Sequence, residues 1–288
     1  MQSKPYLLFD AGGTLVFPDY EFLIKTARGY GIELTGKQLF DGYYQLIYVL
    51  DRRAYRRDFI LRDPWPQRFV YALSRTLGIG KADAHKISRD AQSRHQERNL
   101  WTFTFPWVRE TLAHLAREGY RMSVLSNSDG RTKKVFQELG LDHCFDCIFD
   151  SQELGSKKPD LAIYKGALKN LDAPGMHPAN VLFIGDFYEV DVRGANRAGI
   201  GAIHLDPLGL YGSFPGVHLA DIKYLSQWLA QYTTNPQAFD LFPYGKSRCA
   251  APSLEAHPAY AATPDHISTQ YQLSELYDSH LTKQARPV

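Results

Sequence analysis

Short runs that are apolar on both faces alternate along most of this chain with segments whose apolar residues recur at helical spacing. Tyr6–Phe9 is the first run, and it ends in Asp10 followed by Ala11-Gly12-Gly13-Thr14. A strand with no polar face suits a parallel sheet covered by helices, and the paired glycines mark a tight turn behind it. Further strands are predicted at 121–126 (RMSVLS), 147–150, 181–185 (VLFIG) and 202–205. Between and after them, helices are predicted from Pro106 to Gly119 and over 131–139, 159–171, 191–198 and 219–231. Pro106 and Pro159 stand where a helix opens, and Gly119, Gly140 and Gly199 stand where one stops. Repeated strand–helix units predict an α/β fold built on a doubly wound parallel sheet.

Two stretches break that alternation. Between residues 17 and 100, Leu39, Tyr43, Leu46 and Leu50 recur at helical spacing, as do Phe69, Leu73 and Leu77. Gly31 and Gly78 read as stops, so this stretch is predicted to be a helical insert within a core of residues 1–16 and 101–234. Beyond residue 234, Pro236, Pro243, Pro252, Pro258 and Pro264 interrupt every candidate element. Residues 235–288 are therefore predicted to be a Pro-rich C-terminal extension, partly disordered. Residues 266–281 could form an amphipathic helix with Leu273, Leu276, Tyr277 and Leu281 on one side, which leaves room for a protein partner.

Composition narrows the class. A length of 288 residues with 44% hydrophobic residues suits about two globular domains and excludes collagen-like or fully disordered chains. The net charge of +2 argues against a nucleic-acid partner. It is nonetheless a sum over unlike parts. Residues 17–105 hold 15 Lys and Arg against 10 Asp and Glu, among them Arg52, Arg53, Arg56, Arg57, Arg62 and Arg68. That excess is either a solvated helix face or a field that attracts anionic substrates. Three cysteines fit a reducing compartment. No apolar run reaches the ~18 residues that span a bilayer, and no secretory segment opens the chain. The expectation is a soluble cytoplasmic protein without a membrane partner.

The candidate chemistry lies at the strand ends, where open α/β sheets bind ligands. The first strand delivers Asp10, with Gly12, Gly13 and Thr14 behind it; the second delivers Ser126 and Asn127. Lys157 and Lys158 precede Pro159, and the 181–185 strand delivers Asp186, then Glu189 and Asp191. A nucleophilic carboxylate, a hydroxyl, a cation and an acidic pair suit phosphate-ester hydrolysis, which needs an in-line nucleophile and neutralised phosphoryl oxygens. Asp10 can attack phosphorus, Ser126 and the turn amides near Gly13 can donate to phosphate oxygens, and Lys158 can cancel charge. A Mg²⁺ ion needs octahedral oxygens, and Asp10, the Gly12 carbonyl and Asp186 could supply three.

The four groups Asp10-Ala11-Gly12-Gly13-Thr14-Leu15, Ser126-Asn127, Lys158-Pro159-Asp160 and Gly185-Asp186 with Asp191 resemble, in order, the four motifs of the haloacid dehalogenase superfamily. The resemblance spans residue 6 to about 232 and implies a Rossmann-like core. It also implies a C1-type cap over 17–100 and a small phosphorylated metabolite as substrate. It implies Asp10 as nucleophile, Ser126, Asn127, Gly13 and Lys158 at the phosphate, and Mg²⁺ on Asp10, Gly12 and Asp186. Asp191 and Thr14 stand behind them, Asp191 orienting Lys158 or a metal-bound water, with Glu189 a weaker candidate for that task. Phosphatases of this superfamily mostly carry a second Asp two residues after the nucleophile, which protonates the leaving oxygen; here that position is Gly12. General acid–base help is worth roughly 10²–10⁴-fold. Three readings follow. One is a phosphatase drawing its proton elsewhere. Another is a non-phosphatase hydrolase of the dehalogenase or phosphonatase kind. The third is a catalytically weak binder of a phosphorylated ligand or partner. The phosphatase is the reading adopted.

Two other motifs read as structural. Cys144-x-x-Cys147 has no second cysteine pair and enters a strand, which suits packing. Gly199-Ile200-Gly201 follows a helix rather than a strand, so it reads as a helix stop and not as a dinucleotide loop.

Overall fold

The computed structural model describes residues 4–55, 65–171, 176–212 and 214–242. The described residues separate into two compact units, one holding residues up to 17 and from 101 onward, the other lying within residues 18–100. The predicted helix over 266–281, and Arg56, Arg57 and Arg62 of the basic stretch, lie outside the described residues.

The first unit is built on a sheet of six parallel strands. They are β1 (Tyr6–Phe9), β4 (Met122–Ser126), β5 (Cys147–Asp150), β6 (Val181–Gly185), β7 (Gly201–Leu205) and β8 (Val217–Leu219). Two short strands, β2 (Phe17–Pro18) and β3 (Trp101–Phe103), pair separately. The main sheet runs β5-β4-β1-β6-β7-β8, which is the doubly wound order 3-2-1-4-5-6 when its own strands are counted. Every residue of β1, β4, β6 and β7 is buried, including the polar Ser123 and Ser126 of β4 and His204 of β7. β1 pairs with β4 on one side (Leu8 opposite Ser123) and with β6 on the other (Leu8 opposite Phe183). The strand order reverses at β1, so the ends of β1, β4 and β6 are adjacent. Helices α5 (Pro106–Arg117), α6 (Thr132–Glu138), α7 (Ser151–Leu154), α8 (Leu161–Asn170), α9 (Arg193–Arg197) and α10 (Leu225–Thr234) connect and follow the strands.

Three details differ from the sequence expectation. A sixth strand, β8, lies where a helix was expected to begin at 219; the helix starts at Leu225, after a 3₁₀ turn over Ile222–Tyr224. The helix expected over 191–198 opens instead as a wide π turn, Tyr188–Val192, before α9. The core also runs past residue 234. Leu241 is buried, and its carbonyl accepts from Ala202 N–H (3.2 Å) and Asn196 Nδ2 (2.9 Å).

The second unit is helical, with α1 (Tyr20–Gly29), α2 (Gly36–Tyr55), α3 (Trp65–Thr76) and α4 (Lys81–Glu97). The residues that marked the pattern are its interior: Leu39, Tyr43, Leu46, Leu50, Phe69 and Leu73 are all buried. Tyr43 packs on Phe69 with ring centroids 5.3 Å apart. Asp19 caps α1 by accepting from Phe22 N–H (3.0 Å) and is held by Arg94 of α4 (2.9 Å). Among the described residues no helix is long and apolar enough to cross a membrane.

Candidate active site

The ladder between β1 and β6 continues one residue beyond β1, because Asp10 N–H donates to Ile184 C=O (2.8 Å). That bond holds Asp10 at the rim of the sheet, with 11% of its side chain exposed. Lys158 arrives from the loop before α8 and is 3% exposed. Its ammonium donates to Asp10 Oδ1 and to Asp191 Oδ1, the latter at 2.7 Å. The second oxygen of Asp191 accepts from Phe187 N–H (3.0 Å), so the π turn delivers Asp191 with both oxygens engaged. Burial works against the Lys158 ammonium, but Asp10 and Asp191 outweigh it and hold its pKa above the ordinary lysine value. Burial raises Asp191 to about 7, with Lys158 opposing and Asp10 adding to the rise.

Asp10, Asp186 and Asp191 are all buried, and one ligand atom from each lies within 4.8 Å of the others. Three largely buried carboxylates face a single ammonium, so carboxylate groups outnumber the cation of the site. A divalent cation with hard oxygen preferences fits that donor set and that charge. Since both Asp191 oxygens already hold donors, Asp10 and Asp186 are the carboxylates suited to direct ligation. Glu189, the weaker candidate for orienting Lys158, pairs with Arg193 instead (2.8 Å).

Two residues expected at the phosphate serve the frame. Asn127 Nδ2 donates to Lys158 C=O (2.9 Å), and Asn127 Oδ1 accepts from Lys158 N–H (2.7 Å). The side chain thus clamps the Lys158 backbone from both sides, immediately before a cis Lys158–Pro159 bond. Gly13, at φ 76°, turns the chain, and its N–H is committed to Val16 C=O (2.9 Å). Its amide thus helps close the turn behind Asp10. Ser126 closes β4 beside Asp150 of β5 and is buried at the sheet rim. Thr14 is 1% exposed, and its hydroxyl has no hydrogen-bond partner.

The sequence reading missed His204. It is fully buried on β7, and its Nε2 donates to the backbone carbonyl of Asp186 (2.9 Å); its Nδ1 meets His218 Nδ1 at 3.0 Å. A lone histidine in an apolar strand carries no signal for that contact. Cys144 and Cys147 form no disulfide, and the acidic trio is the group among the described residues that could hold a metal.

Gly185 shows how tightly the trio is packed. A Cβ there would lie 2.4 Å from Asp191 Oδ2 and 2.6 Å from its Cγ. Gly185→Ala is expected to displace Asp191 from Phe187 N–H and Lys158. The expected cost is about 1–3 kcal/mol, read as a fall in Tm by thermal melting. An unchanged Tm would show that the turn at 187–191 yields freely.

Known proteins are similar to this chain. A glyceraldehyde 3-phosphate phosphatase of Methanothermobacter thermautotrophicus is 36% identical over 102 residues, 34% of this chain and 43% of that protein. The chain spans less than half the length of this relative and of a Methanopyrus kandleri phosphatase of the same name. Human haloacid dehalogenase-like hydrolase domain-containing protein 3 is 27% identical over 242 residues, 74% of this chain and 88% of that one. The magnesium-bound structure of Bacillus subtilis YfnB matches 79% of this chain and 99% of its own, with a TM-score of 0.56 and 20% identity. A dehalogenase matches 80% of the chain with a TM-score of 0.55 and 21% identity, so these structures speak for the fold alone. The model of the haloacid dehalogenase-like hydrolases matches residues 6–199, a span that runs from β1 through Lys158 to the acidic turn; the chain belongs to that family.

Proposed function

We propose that the protein is a Mg²⁺-dependent phosphatase of a small phosphorylated metabolite, working through an aspartyl-phosphate on Asp10. The observation that carries this reading is the acidic trio closed around Lys158. A cluster of buried carboxylates that can take a divalent cation suits a cation-assisted phosphoryl transfer. The relatives named as phosphatases, including a phosphoglycolate phosphatase of Pasteurella multocida (29% identical, 69% of that protein covered), point the same way.

In this reading Asp10 attacks phosphorus through the carboxylate oxygen that Lys158 does not hold. Lys158, bonded to Asp10, adds positive charge beside the transferring group. Ser126 donates to a phosphoryl oxygen. Asn127 fixes the height of Lys158, and Asp191 fixes the direction of its ammonium. Asp10, Asp186 and the Gly12 carbonyl would hold Mg²⁺, which when bound would neutralise charge on the phosphoryl oxygens. The bond from phosphorus to the alcohol breaks as the Asp10 bond forms; water then attacks the aspartyl-phosphate, releasing inorganic phosphate and returning Asp10. The helical unit takes the part of the cap.

The test is phosphate release from p-nitrophenyl phosphate, glyceraldehyde 3-phosphate and 2-phosphoglycolate, with Mg²⁺ and with EDTA. Turnover that EDTA abolishes is the expected result. Halide release from 2-haloacids without metal would overturn the reading in favour of a dehalogenase. Tight binding of one ester with no turnover of any would make the protein a phosphate-ligand binder, as the absent carboxylate at Gly12 would then explain.

A further inference from the structure

The ladder between β6 and β7 stops one residue short of the acidic centre, with Gly185 opposite His204 as its last pair. The next carbonyl along the chain, that of Asp186, is met by a side chain instead: His204 Nε2 donates to it (2.9 Å). The N–H of the same peptide unit belongs to Phe187, and it donates to Asp191 Oδ2 (3.0 Å). The planar unit that joins Asp186 to Phe187 is thus pinned at its oxygen by an imidazole and at its hydrogen by a carboxylate. We propose that His204, braced by His218, is a positioning residue that sets the Asp186 carboxylate for a divalent cation. This rests on the metal-assisted reading above and names the groups that hold the ligand in place.

Three observations favour that role. The first is leverage. A peptide unit is rigid, so the direction in which Asp186 points its side chain depends on how the unit that follows it is turned. Holding that unit at both ends fixes the turn. The second is continuity. Asp191 grips Phe187 N–H with one oxygen and Lys158 with the other (2.7 Å), and Lys158 also bonds Asp10. One chain of bonds therefore runs from β7 through the Asp186 peptide to the carboxylate at the end of β1.

The third is the rigidity of the ring itself. His204 is fully buried, and its Nδ1 meets His218 Nδ1 at 3.0 Å. His218 Nε2 in turn bonds Phe214 C=O (3.0 Å). Tyr188, the first residue of the π turn, stands edge-on to the His204 ring (5.3 Å), and Tyr211 closes another side (4.3 Å). The loop that carries Tyr211 is held by Asp206, whose carboxylate accepts from Leu210 N–H (2.9 Å) and Tyr211 N–H (2.8 Å). The imidazole thus has one place to be, and the Asp186 carbonyl is held there with it.

The experiment measures the Kd for Mg²⁺ by titration calorimetry at pH 8 on the full-length protein and its variants. Partners that orient metal ligands are worth roughly 10- to 100-fold in affinity. His204→Leu removes the donor and is expected to weaken Mg²⁺ binding by about 10- to 100-fold. His204→Gln keeps a side-chain N–H of similar reach and is expected to stay within about 3-fold of wild type. Both variants lose the packing of the ring, so the difference between them reads the hydrogen bond. His218→Phe keeps the donor, removes its brace and is expected to weaken binding by about 3- to 10-fold. The Kd reports folded molecules whatever fraction of a preparation they make up, and if His204→Leu does not fold, His218→Phe decides alone. Equal weakening by Gln and Leu at 204 would overturn the role of His204 and leave Mg²⁺ at the acidic trio. Values within about 2-fold of wild type for every variant that folds would do the same. Mg²⁺ binding that is absent in the wild type, or undiminished in Asp186→Asn, would overturn both the positioning role and the metal-assisted reading.

Discussion

Asp10→Asn is expected to reduce phosphate release by at least about 10³-fold while leaving the fold intact. The amide is nearly isosteric with the carboxylate and keeps an oxygen for Lys158, so the packing at the rim of β1 is preserved. Lys158 also keeps Asp191 at 2.7 Å, and the pair remains satisfied. What is lost is the anionic nucleophile: an amide oxygen attacks phosphorus far less well, and the amide nitrogen has no free pair to give. The variant removes one of the three buried carboxylates that face a single ammonium, so its Tm is expected to match or exceed that of the wild type without added metal. This separates chemistry from folding, because a structural residue would lower Tm and activity together. Phosphate release by Asp10→Asn within about tenfold of wild type would remove Asp10 from the role of nucleophile.

The sheet was legible because its strands are short, continuous and apolar. Leu8, Val124 and Ile184 lie in runs with no polar face, and only a strand covered on both sides tolerates that. The glycine stops were legible for a similarly local reason: Gly119 and Gly199 adopt φ of 78° and 79°, which few other residues take up. β8 escaped notice because Val217–Leu219 is three residues of half-buried edge strand, too short for any period to show. At the site, the residue types at the strand ends announced Asp10, Lys158 and Asp186. Their partners did not, because partnership is set by distance across the fold. Asn127 sits beside Ser126 in sequence and so resembled a phosphate contact, yet its amide meets a backbone 31 residues away. Gly13 supplies an N–H at the right place in sequence, and that N–H also helps close the turn. His204 meets a carbonyl 18 residues away, and nothing local marks which backbone group a buried ring will hold.

Mg²⁺ is expected to raise the Tm of the wild-type protein, and the increment is expected to grow between pH 5 and pH 8. Burial, with Asp10 nearby, lifts the Asp191 pKa from its ordinary carboxylate value to about 7 in the folded protein. A raised folded value means that the native state binds a proton more readily than the unfolded chain. The stability so gained is present below the ordinary carboxylate pKa and is lost as pH rises through about 7. The metal-free protein therefore weakens across that window, as Asp191 ionises in its buried position next to Asp10. A divalent cation removes the penalty, because it balances carboxylate charge and binds only ligands that have lost their protons. At a hundredfold excess over Kd the gain is about 2.7 kcal/mol, or roughly 5–10 °C in a protein of this size. Asp186→Asn takes away one charge and one ligand without opening a cavity. The variant is expected to melt at or above the wild-type temperature without metal, to lose most of the Mg²⁺ increment at pH 8, and to lose at least about 10²-fold in phosphate release. Thermal melts at pH 5, 6.5 and 8, with Mg²⁺ and with EDTA, check all but the last. A Mg²⁺ increment that is flat with pH, or equally large in Asp186→Asn, would place the cation somewhere other than the acidic trio.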